Sequence, residues 1–172
     1  MVSRFSIFLG TVLTLLLAGV APSMAADANA PIDYVVIVRH AEINRPAAQA
    51  WKRVGGWCTL TEWLHVTCKV ISGSGDLGSI RVIDGTFHEV MVSKSALSYT
   101  YWQTVGSMAP SGYHGTVAIV PDGPNRSTVV YTLVYNQDAF PTEAERKFQH
   151  ERLTKRFQGA CDEIKKLAEA QP

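Results

Sequence analysis

The sequence lacks an excess of charge of either sign. Its 172 residues include 16 lysines and arginines against 15 aspartates and glutamates. No basic cluster is interleaved with the tryptophans Trp51, Trp57 and Trp63. Binding to nucleic acid or to an anionic membrane surface needs a cationic patch, so we expect neither of these partners.

The patterns that mark common catalytic and metal sites are also missing. The sequence contains no CxxC or HxxxH pair, no phosphate-binding loop and no nucleophile elbow. The five histidines are scattered along the chain, at His40, His65, His88, His114 and His150. We therefore expect no bound metal, no cofactor and no recognisable set of catalytic residues.

The longest apolar run, residues 5–20, lies at the N-terminus behind a short basic segment. Ser23 and Ala25 then supply small residues at the −3 and −1 positions of a cleavage site. An uncleaved anchor helix is the alternative, but the run is short for a bilayer span of roughly 20 residues. We predict that residues 1–25 are a signal peptide and that residues 26–172 are one domain. The mature protein would be periplasmic or secreted, without a membrane anchor.

Cysteines are few, and export would place them in an oxidising compartment. Cys58 and Cys68 are ten residues apart, and closing so short a loop stabilises a fold by just under about 3 kcal/mol in the chain-entropy model. A metal site that includes His65, which lies between them, is the alternative, but no ligand spacing completes it. The sequence favours a disulfide. Cys161 is predicted to be a small buried apolar residue.

The clearest helical pattern covers residues 141–170. Thr142 and Glu145 have the spacing of a capping box, which satisfies two unpaired donors at a helix start. Apolar residues then recur at three- and four-residue steps and form one stripe: Leu153, Phe157, Ala160, Cys161, Ile164, Leu167 and Ala168. Phe148 falls outside this stripe, and Gly159 costs about 1 kcal/mol relative to alanine in a helix interior. We predict one long amphipathic helix that must bury this stripe.

The remainder of the chain is dominated by strand patterns. Predicted strands cover residues 33–43, 66–72, 78–83, 86–93, 97–103, 113–120 and 127–135, and two short helices cover residues 47–54 and 60–65. Tight turns between successive strands favour antiparallel pairing. The fold class is α+β: a seven-stranded curved antiparallel sheet wrapped around the C-terminal helix, which is the large apolar surface available to cover it. The space between sheet and helix is the expected binding site.

Several short motifs follow one another in a characteristic order. They are residues 46–51 (PAAQAW) with Trp63, residues 78–81 (GSIR), Glu89, residues 97–99 (LSY), residues 109–113 (APSGY) and the terminal helix with Gly159. This set resembles the START/Bet v 1-like superfamily, the helix-grip fold, and within it the polyketide cyclase/dehydrase-like bacterial proteins. The resemblance spans residues 34–167. It implies the fold more than the function, because the superfamily includes lipid and hormone binders, transfer proteins and cyclases.

The resemblance also implies which strand faces point inward. It places Glu89, Tyr99 and Tyr113 inside, and strand alternation then adds Arg81 and Ile83. The expected ligand-binding residues are Arg81, Ile83, Phe87, Glu89, Met91, Tyr99, Tyr101, Tyr113, Val117, Tyr131 and Phe157. The alternatives are a purely structural Arg81–Glu89 ion pair and plain core packing of the tyrosines. Residues 104–112 are a candidate lid.

Two functions fit these residues. The first is an exported, monomeric protein that binds a small hydrophobic or amphipathic ligand in an internal cavity. The second is an enzyme of the cyclase/dehydratase kind, in which Glu89 or a tyrosine exchanges protons with a bound substrate. A filled core with an interaction surface is a third possibility. The absence of a convincing catalytic set favours the binding protein.

Overall fold

The structure is a computed structural model that describes residues 31–170. The elements in chain order are β1 (Tyr34–Ile43), α1 (Ala47–Val54), α2 (Leu60–Leu64), β2 (Cys68–Ser72), β3 (Ile80–Ile83), β4 (Phe87–Lys94), β5 (Ser98–Val105), β6 (His114–Pro121), β7 (Ser127–Asn136) and α3 (Glu143–Glu169). Every predicted strand and helix in this range is present, with ends that differ by at most two residues. The proposed signal peptide, residues 1–25, lies outside the described residues.

The seven strands form one antiparallel sheet in the order β1-β7-β6-β5-β4-β3-β2. From β2 to β7 each strand pairs with its successor in the chain, while β1 adds to the far edge beside β7. The register places Arg81 of β3 directly opposite Glu89 of β4. It also places Tyr101 of β5 opposite Gly115 of β6. The pairing of neighbouring strands therefore sets two contacts on which the interior depends.

Helix α3 starts and packs as the sequence predicts. The Thr142 hydroxyl accepts a hydrogen bond from the Glu145 backbone N–H at 3.2 Å, and the Glu145 carboxylate accepts one from the Thr142 N–H at 3.0 Å. The helix contacts β1, β7, α1 and α2. Leu167 is only partly buried and Phe148 is 59% exposed. The buried stripe comprises Leu153, Phe157, Ala160, Cys161, Ile164 and Ala168.

Helices α1 and α2 and the tryptophans near them close one end of the sheet. The Trp57 ring meets Tyr99 edge-on, with centroids 5.2 Å apart, and the Trp63 ring meets Tyr131 edge-on at 6.1 Å. Both tryptophans are buried. They belong to a packed seam between helices and sheet, which is the arrangement expected for aromatic pairs in a core.

Cys58 and Cys68 form a disulfide, with their Cα atoms 5.6 Å apart. It joins the start of the α2 region to the first residue of β2. Residues 31–170 contain no group of side chains arranged to hold a metal ion. Cys161 is free and buried, and burial raises the pKa of its thiol to about 12. No helix in this range is long and apolar enough to cross a membrane.

Candidate ligand-binding site

A cavity of about 180 Å³ lies between the sheet and α3. Strands β3, β4, β5 and β7 and Tyr113, which directly precedes β6, form one wall. Helix α3 forms another, and Leu60 and Leu64 of α2 border the cavity. Eight of the residues expected from the sequence line it: Arg81, Ile83, Phe87, Glu89, Tyr101, Tyr113, Tyr131 and Phe157. The space predicted beneath the helix therefore exists, and most of the expected side chains border it.

Met91, Tyr99 and Val117 do not line the cavity, contrary to expectation. They lie on the correct face of the sheet and are buried. The Tyr99 ring is covered by Trp51 and Trp57, at centroid distances of 5.9 and 5.2 Å. Alternation identifies the inner face of a strand, but it does not show which part of that face is covered by packing.

Several lining residues were not among the expected ligand-binding residues: Leu60, Leu64, Asp84, Gln103, Ser107, Met108, Arg152, Leu153 and Arg156. Of these, Ser107 and Met108 belong to the candidate lid, residues 104–112. Gln103 continues the inward row of Tyr99 and Tyr101, so strand alternation could have found it. Arg152 and Arg156 each precede a residue of the buried stripe of α3. Their spacing of four residues places them on one side of the helix, which is a signal that hydrophobic patterning alone ignores.

The deepest polar feature is an ion pair between Arg81 and Glu89. The Arg81 Nε and Nη2 atoms donate to Glu89 Oε2 at 2.8 and 2.6 Å, and the two side chains are only 1% and 6% exposed. Arg81 Nη1 donates to the Trp57 carbonyl, and the guanidinium carbon lies 3.8 Å from the centre of a Trp57 ring. Every charged nitrogen of Arg81 is therefore engaged by the protein.

Glu89 retains one oxygen for other partners. Both hydrogen bonds from Arg81 reach Oε2, so Oε1 is without a hydrogen-bonding partner among residues 31–170 although the side chain lines the cavity. Burial raises the pKa of the Glu89 carboxyl, and the charge of Arg81 opposes that shift. The carboxyl can accept a hydrogen bond from a bound molecule through Oε1.

Three tyrosine hydroxyls meet in the same interior. The Tyr101 hydroxyl oxygen lies 3.2 Å from that of Tyr113 and 2.9 Å from that of Tyr131. Burial raises the pKa of each of these tyrosines, so all three hydroxyls stay protonated at neutral pH. Gly115 makes room for this group, because a Cβ atom at that position would lie 2.3 Å from the Tyr101 hydroxyl oxygen. We call Tyr101, Tyr113 and Tyr131 the tyrosine trio.

The remaining lining residues include apolar and cationic side chains, together with Asp84, Gln103 and Ser107. The Phe157 ring of α3 lies 4.5 Å from the Tyr131 ring. Met108, in the loop between β5 and β6, is held by its backbone N–H, which donates to Gln103 Oε1 at 3.0 Å. That loop, residues 106–113, therefore forms part of the wall. Arg152 and Arg156 line the side of the cavity next to α3.

Comparisons with known proteins agree on the fold. Residues 34–169 match the family model described as polyketide cyclase/dehydrase and lipid transport. Norcoclaurine synthase from Thalictrum flavum is 19% identical, with a TM-score of 0.63 over 82% of this chain and 97% of that chain. Ara h 8.0201 is 14% identical, with a TM-score of 0.60 over 79% of this chain and 98% of that chain. At these identities the structural likeness shows the fold alone. No curated protein matches by sequence.

Truncating Phe157 tests whether the space beneath α3 is open. Because Phe157 already borders a cavity, Phe157→Ala should lower the free energy of unfolding by about 1.5–3 kcal/mol, the value for lost burial. In a filled core the loss would be about 3–5 kcal/mol. Urea denaturation measures the difference, and binding of single-ring aromatic compounds should change at the same time.

Two changes on the same helix serve as controls for Phe157→Ala. Ile164 belongs to the same stripe, is fully buried and does not line the cavity, so Ile164→Ala should lower the free energy of unfolding by about 2–5 kcal/mol without altering ligand binding. Lys155 is exposed, and Lys155→Ala should have little effect on stability. A loss at Phe157 near the upper limit, with unchanged ligand binding, would contradict the open cavity.

Proposed function

The chain belongs to the polyketide cyclase/dehydrase and lipid transport family, within the START/Bet v 1-like superfamily, and from this premise we propose that it is an exported protein that binds one small hydrophobic or amphipathic molecule beneath α3. The observation that carries the proposal is the cavity. Its walls combine aromatic and aliphatic side chains with a few convergent polar groups, which is the usual composition of a small-molecule site. Fully packed cores leave no space of this size.

The volume of the cavity limits the size of the ligand. An apolar cavity of about 150 Å³ holds benzene, whereas pockets for drug-sized ligands measure about 300–1,000 Å³. A cavity of about 180 Å³ therefore suits a single-ring molecule, and a sterol would have to extend beyond it. A related observation comes from norcoclaurine synthase, whose structure in complex with dopamine and hydroxybenzaldehyde has a TM-score of 0.59 to this chain at 19% identity, over 79% of this chain and 87% of that chain.

An enzyme that uses the same cavity is the second candidate. The observation in its favour is the position of Glu89, a carboxyl with a raised pKa and a free oxygen, which borders the cavity together with the tyrosine trio. A carboxyl whose pKa is shifted toward neutrality is suited to proton exchange with a bound substrate. Cyclisation or dehydration of a polyketide-like compound would need such exchange.

Native mass spectrometry of the purified protein tests binding and turnover together. After organic extraction, p-cresol should add one molecule per chain, and cholesterol should add none. The compound that extraction removes from the purified protein is then incubated with the empty protein. Its recovery with unchanged mass and retention time supports a binding protein, and its conversion to a dehydrated product or to an isomer supports the enzyme. A protein that is empty as purified and binds no single-ring aromatic compound would contradict both functions.

Export is supported by the composition of residues 1–25 and by the disulfide, which forms in oxidising compartments. When the full chain is expressed in a bacterium with a periplasm, the protein recovered from that compartment should begin at Ala26.

Peptide mapping without reduction should find Cys58 joined to Cys68 and Cys161 as a thiol. Cys161 should react with alkylating reagents only after unfolding, because burial raises its pKa. Cytoplasmic protein that retains Met1, with thiols at Cys58 and Cys68, would contradict export.

A further inference from the structure

Two arginines on one side of the cavity lack an acidic partner. Arg152 and Arg156 are one turn apart on α3 and line the same space. Arg152 donates to Gln149 Oε1 at 2.9 and 2.6 Å and contacts Met108 Sδ at 3.7 Å. Across residues 31–170, neither arginine pairs with a carboxylate, and Arg156 makes no hydrogen bond. Burial lowers the pKa of Arg152, and the neighbouring charge of Arg156 adds to this effect.

Neither carboxylate that borders the cavity forms an ion pair with Arg152 or Arg156 within residues 31–170. Asp84 Oδ1 accepts hydrogen bonds from the Thr67 backbone N–H at 2.8 Å and from the Thr67 hydroxyl at 3.2 Å. Glu89 is neutralised by Arg81 at 2.6 Å. The α3 wall of the cavity therefore carries two positive charges, those of Arg152 and Arg156, that no carboxylate of residues 31–170 pairs with. An anion bound there would relieve their mutual repulsion and make charge-assisted hydrogen bonds.

The inner end of the cavity has a different requirement. The tyrosine trio contains three O–H donors but makes only two hydrogen bonds among its own members, so one O–H remains available. Glu89 Oε1 is an available acceptor on the same cavity. One free donor and one free acceptor together match a hydroxyl group, which donates one hydrogen bond and accepts others.

We propose that the ligand is a small aromatic acid, a single ring with a carboxylate at one end and a hydroxyl at the other. The carboxylate lies between Arg152 and Arg156, and the hydroxyl meets Glu89 Oε1 and the tyrosine trio. The aromatic ring of the ligand lies between these two ends and packs against the wall that Phe157 and Tyr131 form together. The centroids of those two side-chain rings are 4.5 Å apart. The planar guanidinium suits a carboxylate because it offers paired N–H donors. This inference rests on the proposed binding function and specifies its ligand class.

Calorimetric titration at low ionic strength compares three single-ring compounds. They are 4-hydroxybenzoate, its neutral analogue 4-hydroxybenzamide, and benzoate, which lacks the hydroxyl. We expect 4-hydroxybenzoate to bind on the order of tenfold more tightly than either of the others, since one lacks the charge and the other lacks the inner hydrogen bonds. Added salt should weaken the two anions and leave the amide unaffected.

A charge-matched pair of variants locates the anion. Arg156→Gln should reduce the preference for 4-hydroxybenzoate over 4-hydroxybenzamide to about twofold, because losing the charge weakens binding of the anion far more than binding of the amide. Lys147→Gln removes the same charge from an exposed position on α3 that does not line the cavity, and the preference should remain. Because Arg156 is exposed and makes no hydrogen bond within residues 31–170, its replacement is not expected to affect folding.

Each outcome separates this inference from the function on which it rests. Equal or tighter binding of the amide overturns the anion site, although the proposed binding function stands. Equal binding of benzoate and 4-hydroxybenzoate overturns the inner hydroxyl contact. If the preference for 4-hydroxybenzoate over 4-hydroxybenzamide survives Arg156→Gln and Arg152→Gln together, the carboxylate does not lie at the two arginines of α3. If none of the three compounds binds while p-cresol does, the aromatic acid is wrong; if p-cresol also fails, the binding function falls with it.

Discussion

The interior of this protein depends on one buried ion pair. A buried arginine and a buried glutamate each carry a desolvation penalty of several kcal/mol, and only close mutual contact with further hydrogen bonds offsets it. Here β3 and β4 place Arg81 and Glu89 opposite each other, and the Trp57 carbonyl and ring engage the remaining side of the guanidinium. The pair therefore joins the sheet to the segment between α1 and α2. Apolar residues of similar volume are often equally stabilising at such positions, so stability alone does not account for the pair.

The consequence of the pair is an asymmetric cavity. Arg81 occupies only one of the two Glu89 oxygens, and the tyrosine trio has one more donor than it uses internally. These groups make the inner end polar but nearly neutral. On the α3 side, Arg152 and Arg156 face the same space without a carboxylate partner among residues 31–170. Because polar groups lie at both ends and the Phe157–Tyr131 wall is apolar, the site favours a short amphipathic molecule over a purely apolar one of the same size.

The sequence contained enough information to predict the elements and the ion pair. The resemblance to the START/Bet v 1-like superfamily points Glu89 inward and strand alternation then adds Arg81, turn signals set the antiparallel order, and the capping box at Thr142 marks the start of α3. The spacing of Cys58 and Cys68 also favoured the observed disulfide. These features depend on local chemistry or on the pairing of neighbouring strands, which a sequence encodes directly.

The parts that were not predicted depend on packing between distant segments. Tyr99 was expected at the cavity, but Trp51 and Trp57 cover it, and no period in the sequence shows which tryptophan covers which strand. Arg152 was overlooked because a charged residue on an amphipathic helix usually faces water, whereas here it is half-buried at the edge of the apolar stripe. The cavity volume follows from how closely α3 approaches the sheet, and side-chain size alone does not determine that distance.

A double-mutant cycle on the ion pair tests the central claim most directly. The free energy of unfolding is measured in urea for Arg81→Met, for Glu89→Leu and for the protein with both changes. If the pair organises the interior, each single change leaves an uncompensated buried charge and should lower that free energy by about 3–5 kcal/mol. The double change removes both charges and should cost far less than the sum, with a coupling energy of at least about 2 kcal/mol. Additive losses would contradict this account, because they would show that Arg81 and Glu89 do not depend on each other.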